Sequence, residues 1–257
     1  MIEQKPAVDN WDRHWDSYAE AASLNPAQRM RHAAIMGALR RVGRPLANLL
    51  DVGSGQGDFL TLALATKIAK NYAGFEMSAS GVRIGTEKVP GAEFLQVDLF
   101  APPLEAKRFE GWADAVVCSD VIEHVDEPVA FLTALRGYLA VDGTLVLTVP
   151  GGPMSKFDHH IGHRRHYTRK LMKDTLTQAG FEVKFVQLAG FPFFNLYRLV
   201  VIARGDRLIE DVDAQDRKAI GPLARATMAS FRLLFKLNLA DFPLGWQVVA
   251  IATKPKP

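Results

Sequence analysis

Apolar and polar positions along this chain fall into two alternating rhythms. Short apolar runs of strand length occupy residues 48–52, 71–76, 93–96, 113–118, 144–149, 183–188 and 247–253. Apolar residues at helical spacing fill the intervals near 26–43, 58–69, 81–88, 128–139 and 169–179. The first helical pattern has Pro26 near its first turn and Gly43 beyond its end, and the last stops at Gly180. Strands that alternate with helices predict a mostly parallel sheet covered on both faces.

One stretch breaks the alternation. Residues 191–244 separate the last two strands, too long a segment for a structureless loop in a compact domain. It reads as two helices near 193–211 and 215–237, with Gly221-Pro222 as a break. The first is dense in apolar residues, among them Phe193, Phe194, Tyr197, Leu199 and Val200. The expected organisation is one domain with a core at 46–190, a helical insertion at 191–244 and a last strand and tail at 245–257.

Composition narrows the picture little. Apolar residues at 48% and charged residues at 23% suit a globular chain and exclude intrinsic disorder. The net charge of +3, with no long run of Lys or Arg, speaks against a nucleic-acid partner despite a pI near 9.0. The lone Cys118 rules out an internal disulfide. The N-terminal segment is polar, and no run reaches the roughly 18 apolar residues of a membrane span. A cytoplasmic protein without a membrane span is the expectation.

The strongest local signal is Leu49-Leu50-Asp51-Val52-Gly53-Ser54-Gly55-Gln56-Gly57-Asp58-Phe59, an apolar strand that runs through three glycines into a helix. Glycine there permits a tight turn and close approach of backbone to a ligand. Glu76 ends the next strand, where a carboxylate can accept two hydrogen bonds from a ribose diol. A dinucleotide loop would read G-x-G-x-x-G before a pyrophosphate. Here the spacing is G-x-G-x-G between Asp51 and Asp58, which suits an amine-bearing ligand better.

At these residues the chain resembles the class I S-adenosylmethionine-dependent methyltransferases. Asp51 to Gly57 is similar to that family's first motif, Phe75-Glu76-Met77-Ser78 to its ribose-binding acid, and Val97-Asp98-Leu99-Phe100 to its adenine-side turn. Asp114 to Val125 is similar to its fourth-strand motif, and Leu139 to Leu145 to the turn into its fifth strand. The fit is closest to small-molecule enzymes of the quinone-biosynthesis type. The resemblance implies a Rossmann-like, doubly wound α/β sheet of seven strands, the last antiparallel and inserted beside its neighbours. It implies S-adenosylmethionine as cofactor and a small, partly apolar acceptor. Gly53, Ser54, Gly55 and Gly57 would surround the methionine part, and Asp51 would help hold its ammonium. Glu76 would take the ribose hydroxyls, Asp98 and the Leu99 backbone the adenine, and Met77 its face. Ser119 and Asp120 would border the methyl. The N-terminal segment 1–45, with its aromatic arm from Trp11 to Tyr18, would form a helical lid. There Tyr18 would reach the cofactor carboxylate, with Arg31 as a salt-bridge partner. His124 is expected in the first turn of a helix, in a structural role.

Four histidines crowd Asp158-His159-His160-Ile161-Gly162-His163-Arg164-Arg165-His166-Tyr167. The segment follows Pro150-Gly151-Gly152-Pro153 and reads as a loop over the crevice, with Thr168 as N-cap of the next helix. An imidazole titrates near pH 6.5 and can accept a proton from a hydroxyl or amine. The cluster is therefore expected to supply a general base from His160, His163 or His166, with Tyr167 as an orienting hydroxyl and a rate that falls below pH 6.5. A structural loop and a zinc site are the competing readings. The spacings match no closed zinc pattern, and no metal is expected. For the insertion, a core stripe, an acceptor wall, a homodimer contact and docking on a membrane surface stay open. Two further functional classes stay open as well, a methyltransferase acting on protein or RNA and a cofactor-binding partner without catalysis.

Overall fold

The computed structural model describes Trp11, Asp12, Trp15 and residues 25–213 and 222–256. Tyr18 and Gly221, both singled out above, lie outside them. The strands are β1 (Leu46–Val52), β2 (Ala69–Glu76), β3 (Glu93–Gln96), β4 (Ala113–Ser119), β5 (Leu139–Pro150), β6 (Glu182–Ala189) and β7 (Gln247–Thr253). They form a single sheet in the order β3-β2-β1-β4-β5-β7-β6. Neighbours among β1 to β5 pair parallel, and β7 runs antiparallel between β5 and β6. This is the doubly wound arrangement expected, with the inserted last strand.

The helices are α1 (Pro26–Arg40), α2 (Asp58–Ala65), α3 (Ala79–Lys88), α4 (Pro128–Arg136), α5 (Lys156–His160), α6 (Arg169–Gln178), α7 (Phe193–Asp213) and α8 (Pro222–Leu234). Alternation along the strands explains why their apolar runs are nearly continuous. Leu50, Val116 and Leu145 face one core with Leu132 of α4 and Met172 of α6. Leu49, Val117 and Val146 face the other with Ile35 of α1 and Leu60 of α2. Each such buried side chain contributes roughly 1.5–3 kcal/mol.

Several boundaries move. α1 ends at Arg40, where Arg41 and Val42 turn toward Gly43 at φ +72°. The pattern near 128–139 is split, since α4 stops at Arg136 and β5 begins at Leu139, with a register shift opposite Ala113–Ala115 and Asp142 at φ +59°. In the insertion, α7 is interrupted at Gly205, and α8 passes into a 3-10 turn at Phe235–Leu237. Phe194 and Phe235 bury against Ala27 and Met30 of α1, so part of the aromatic stripe is core. Leu196, Leu199, Leu233 and Leu237 stay exposed.

Candidate active site

The loops that leave β1, β2, β4 and β5 meet at the C-terminal edge of the sheet. Gly53, Gly55 and Gly57 all take positive φ, between 51° and 77°. Space is as restrictive as conformation: a Cβ on Gly53 would strike Val121, and one on Gly57 would lie 2.8 Å from Phe94. The Glu76 carboxylate ties two loops together by accepting the N–H of Gly55 (2.8 Å) and of Ser78 (2.9 Å). Burial pushes this carboxyl up, and those N–H donors oppose the rise. Asp51, beneath the loop, is pushed up to about 8, by burial first and by Glu76 second. Ser54 Oγ is buried without a hydrogen-bond partner among the described residues. Two buried acids and an unpaired hydroxyl beside bare glycine backbone fit a ligand that carries hydroxyls and an ammonium.

Glu76 and Gln96 are register partners, so β2 and β3 end side by side and bring Met77 and Asp98 to the same edge. Met77 is half exposed, Leu99 is buried, and the exposed Asp98 accepts the Phe100 N–H at 2.9 Å. All three described arm residues reach these loops. Asp12 accepts from Ser78 Oγ (2.6 Å) and Ser80 N–H (3.0 Å), which lowers its carboxyl. The Trp15 indole covers Gly55, and Trp11 stands edge-on to His124 at 4.9 Å.

At the end of β4, Ser119 Oγ shares a hydrogen with Thr148 Oγ1 (2.8 Å). Asp120, at φ +53°, donates its N–H to the Thr148 carbonyl and pairs its carboxylate with Arg31 of α1. Two residues expected to serve the cofactor separately are thus ion-paired with each other. His124 lies in a turn, not in a helix, because α4 starts only at Pro128. Its neighbour Glu123 was not singled out from sequence. Glu123 is fully buried, and neither carboxylate oxygen has a hydrogen-bond partner among the described residues. Burial pushes it far up, and Asp120 adds to the shift.

The histidine segment divides. It opens with α5, a short helix closed by a capping box between Ser155 and Asp158. Asp158 is fully buried, and its Oδ2 accepts from Ser155 Oγ (2.7 Å) and N–H (2.8 Å). Arg198 of α7 reaches in from the insertion, its Nη2 lying 2.9 Å from both carboxylate oxygens. His159 and His160 point to solvent. His163 and His166 turn inward, with His163 Nδ1 3.1 Å from His166 Nε2 and the His163 ring edge-on to His124 at 4.8 Å. Tyr167 is core, its hydroxyl directed to the Ile122 carbonyl at 3.4 Å. Burial, with help from His124, pushes His163 down to about 3, and burial lowers His166 as well. Two sets of ligating atoms lie within 4.8 Å of one another: Glu123, His124 and His163, and Asp158, His163 and His166. In the second set the carboxylate is already taken by Arg198.

A family model for methyltransferase domains matches residues 27–184. The chain is 28% identical over 167 residues to a ubiquinone biosynthesis O-methyltransferase of Xanthomonas campestris, a match that covers 64% of this chain and 67% of that protein. Among solved structures, phosphoethanolamine N-methyltransferase 2 of Haemonchus contortus in complex with S-adenosyl-L-methionine superimposes with a TM-score of 0.61 at 14% identity. That match covers 97% of this chain and 61% of that one. The cyclase SpnF superimposes at 0.65 with 18% identity, covering 98% and 97%. These structural likenesses show the fold. Among the described residues no helix is long and apolar enough to cross a membrane. With the strand order, the glycine loop on β1 and the acid ending β2 all in place, the chain belongs to the methyltransferase-domain family and is a class I S-adenosylmethionine-dependent methyltransferase.

Proposed function

We propose that this chain methylates an oxygen of a small, partly apolar acceptor, with His163 as general base. One observation carries the reading: an inward-facing histidine pair stands after β5, across the same sheet edge as the Gly55–Glu76 cradle after β1 and β2. The printed name of the Xanthomonas campestris relative supports oxygen as the nucleophile. S-adenosylmethionine supplies a methyl already activated on a sulfonium. Gly53, Ser54, Gly55 and Gly57 bed its methionine part, Asp51 faces its ammonium, and Glu76 accepts from its ribose. Met77, Asp98 and Leu99 flank the adenine, and Ser119 and Asp120 border the methyl. Trp15 and Asp12 make the arm a lid. Alignment of the reactants is worth up to roughly 7–11 kcal/mol, and a base adds about 10²–10⁴-fold.

The deciding experiment is single-turnover methyl transfer with the four His→Ala variants at saturating cofactor, on a panel of phenolic acceptors. Loss confined to the inward pair supports the reading; four variants within about threefold of the parent overturn it. A second reading of the cluster rests on Glu123, whose unpaired buried carboxylate beside His124 and His163 suits a divalent cation. Turnover lost in EDTA and restored by one added divalent ion would favour it. Docking of the insertion on a membrane surface rests on the exposed Leu233 and Leu237 beside Arg232 and Lys236. Co-sedimentation with anionic liposomes tests that.

A further inference from the structure

A hydrogen-bond chain beneath the histidine pair decides which nitrogen carries each proton. His166 Nδ1 lies 3.1 Å from the Gly152 carbonyl oxygen. That carbonyl is held in place because Gly152, at φ +72°, packs its Cα against the Trp246 ring. A carbonyl oxygen can only accept, so His166 Nδ1 bears the hydrogen. A neutral imidazole has one N–H, which leaves His166 Nε2 an acceptor. His163 Nδ1, 3.1 Å from that Nε2, must then be the donor. The hydrogen of His163 is on Nδ1 and its lone pair is on Nε2.

The alternative is a cationic His166 that donates in both directions. Two acids stand near the pair: Glu123, grouped with His124 against His163 within 4.8 Å, and Asp158, whose Oδ1 stands 3.8 Å from His163 Nδ1 and from His166 Nε2, beyond hydrogen-bond reach. The charge of Asp158 is already met by Arg198 and Ser155. Both rings are buried, 9% and 4% exposed, and burial favours the neutral form of an imidazole.

We infer that His166 is a positioning residue: anchored on the Gly152 carbonyl, it fixes His163 in the Nδ1–H form and makes His163 Nε2 the nitrogen that takes the acceptor's proton. The inference rests on the reading of His163 as base. In the step, the acceptor O–H proton moves to Nε2. Its bonding pair stays on oxygen and forms the bond to the methyl carbon, while the sulfonium sulfur keeps the pair of the bond that breaks.

The tautomers can be read directly. Long-range ¹H–¹⁵N spectra of the intact, ¹⁵N-labelled protein near pH 7.5 should show both rings as Nδ1–H, with resonances assigned from the single His variants. His163 found as Nε2–H would overturn the inference. Kinetics give a second handle. His166→Phe should lower single-turnover methyl transfer about 10–100-fold while cofactor affinity stays within about twofold. His166→Gln, whose amide oxygen can accept from His163 Nδ1–H, should recover part of the loss. An unchanged rate in His166→Phe beside a large loss in His163→Ala overturns the positioning role. Nδ1–H on both rings with no rate loss in either variant upholds the tautomer assignment and sinks the base reading.

Discussion

The glycine loop after β1 and the histidine segment after β5 border one crevice but are built from different materials. The first is backbone: three positive-φ glycines and N–H groups that close on Glu76. The second is side chains brought from afar, with Asp158 held by Arg198 of the insertion and His163 set against His124 after β4. A backbone device can be written in a few consecutive residues. A side-chain device has to be assembled by the tertiary fold, so it can change chemistry while the cradle stays the same. The division predicts that binding and turnover respond to different substitutions.

The largest effect should come from His163→Ala, with methyl transfer down about 10²–10⁴-fold and calorimetric cofactor affinity unchanged. A matching loss of affinity would merge the two regions. Next, Glu76→Ala should weaken binding of S-adenosylmethionine and its demethylated product by roughly 1.5–3 kcal/mol, the scale of a hydrogen bond to a charged group. The rate at saturating cofactor should barely move; a large fall there would erase the division. Asp51→Asn tests the cost of the cradle. The folded carboxyl sits near 8, above its unfolded value, so its ionisation opposes folding as pH rises through that interval. The variant should therefore be more stable than the parent by on the order of 5 kcal/mol at pH 8, and no more stable at pH 4, by urea titration. If Asp51 faces the ammonium as proposed, the parent should release about one proton on cofactor binding at pH 7 and the variant should not. The smallest effect is a null: burial holds His163 below the ordinary imidazole range, so the single-turnover rate should vary little between pH 8 and about 6.5. A clear break inside that interval would overturn His163 as the base.

Most of the sheet could be read from the chain because strands buried on both faces leave unbroken apolar runs. The Gly53–Gly57 turn could be read because its φ values admit little else. One boundary that moved is set by long-range pairing, where β5 extends back to Leu139 beside Ala113, and another by a local turn after Arg40. The inward turn of His163 and His166 was hidden among four equal histidines, since burial is a property of the assembled fold. Ser155-x-x-Asp158 carries the capping signature that could have revealed α5. Nothing near Glu123 or Arg198 in sequence marks either, because their partners lie on other elements. The ion pair of Arg31 with Asp120, from α1 to the end of β4, is of the same kind.

β7 has a consequence in time. β6 lies at the sheet margin with β7 as its sole neighbour among the described residues, and β7 also closes the open side of β5. During synthesis β6 leaves the ribosome first, and the entire insertion must follow before its partner exists. Until then two strands present unsatisfied edges to the surrounding solvent, the circumstance in which nascent chains stick to one another. Lys184, charged and half exposed on β6, is the sort of residue that guards such an edge. The last ladder to form is thus the one that joins β6 and the insertion's base to the β1–β5 part of the sheet, and a ribosome that stalls within the insertion leaves that joint unmade.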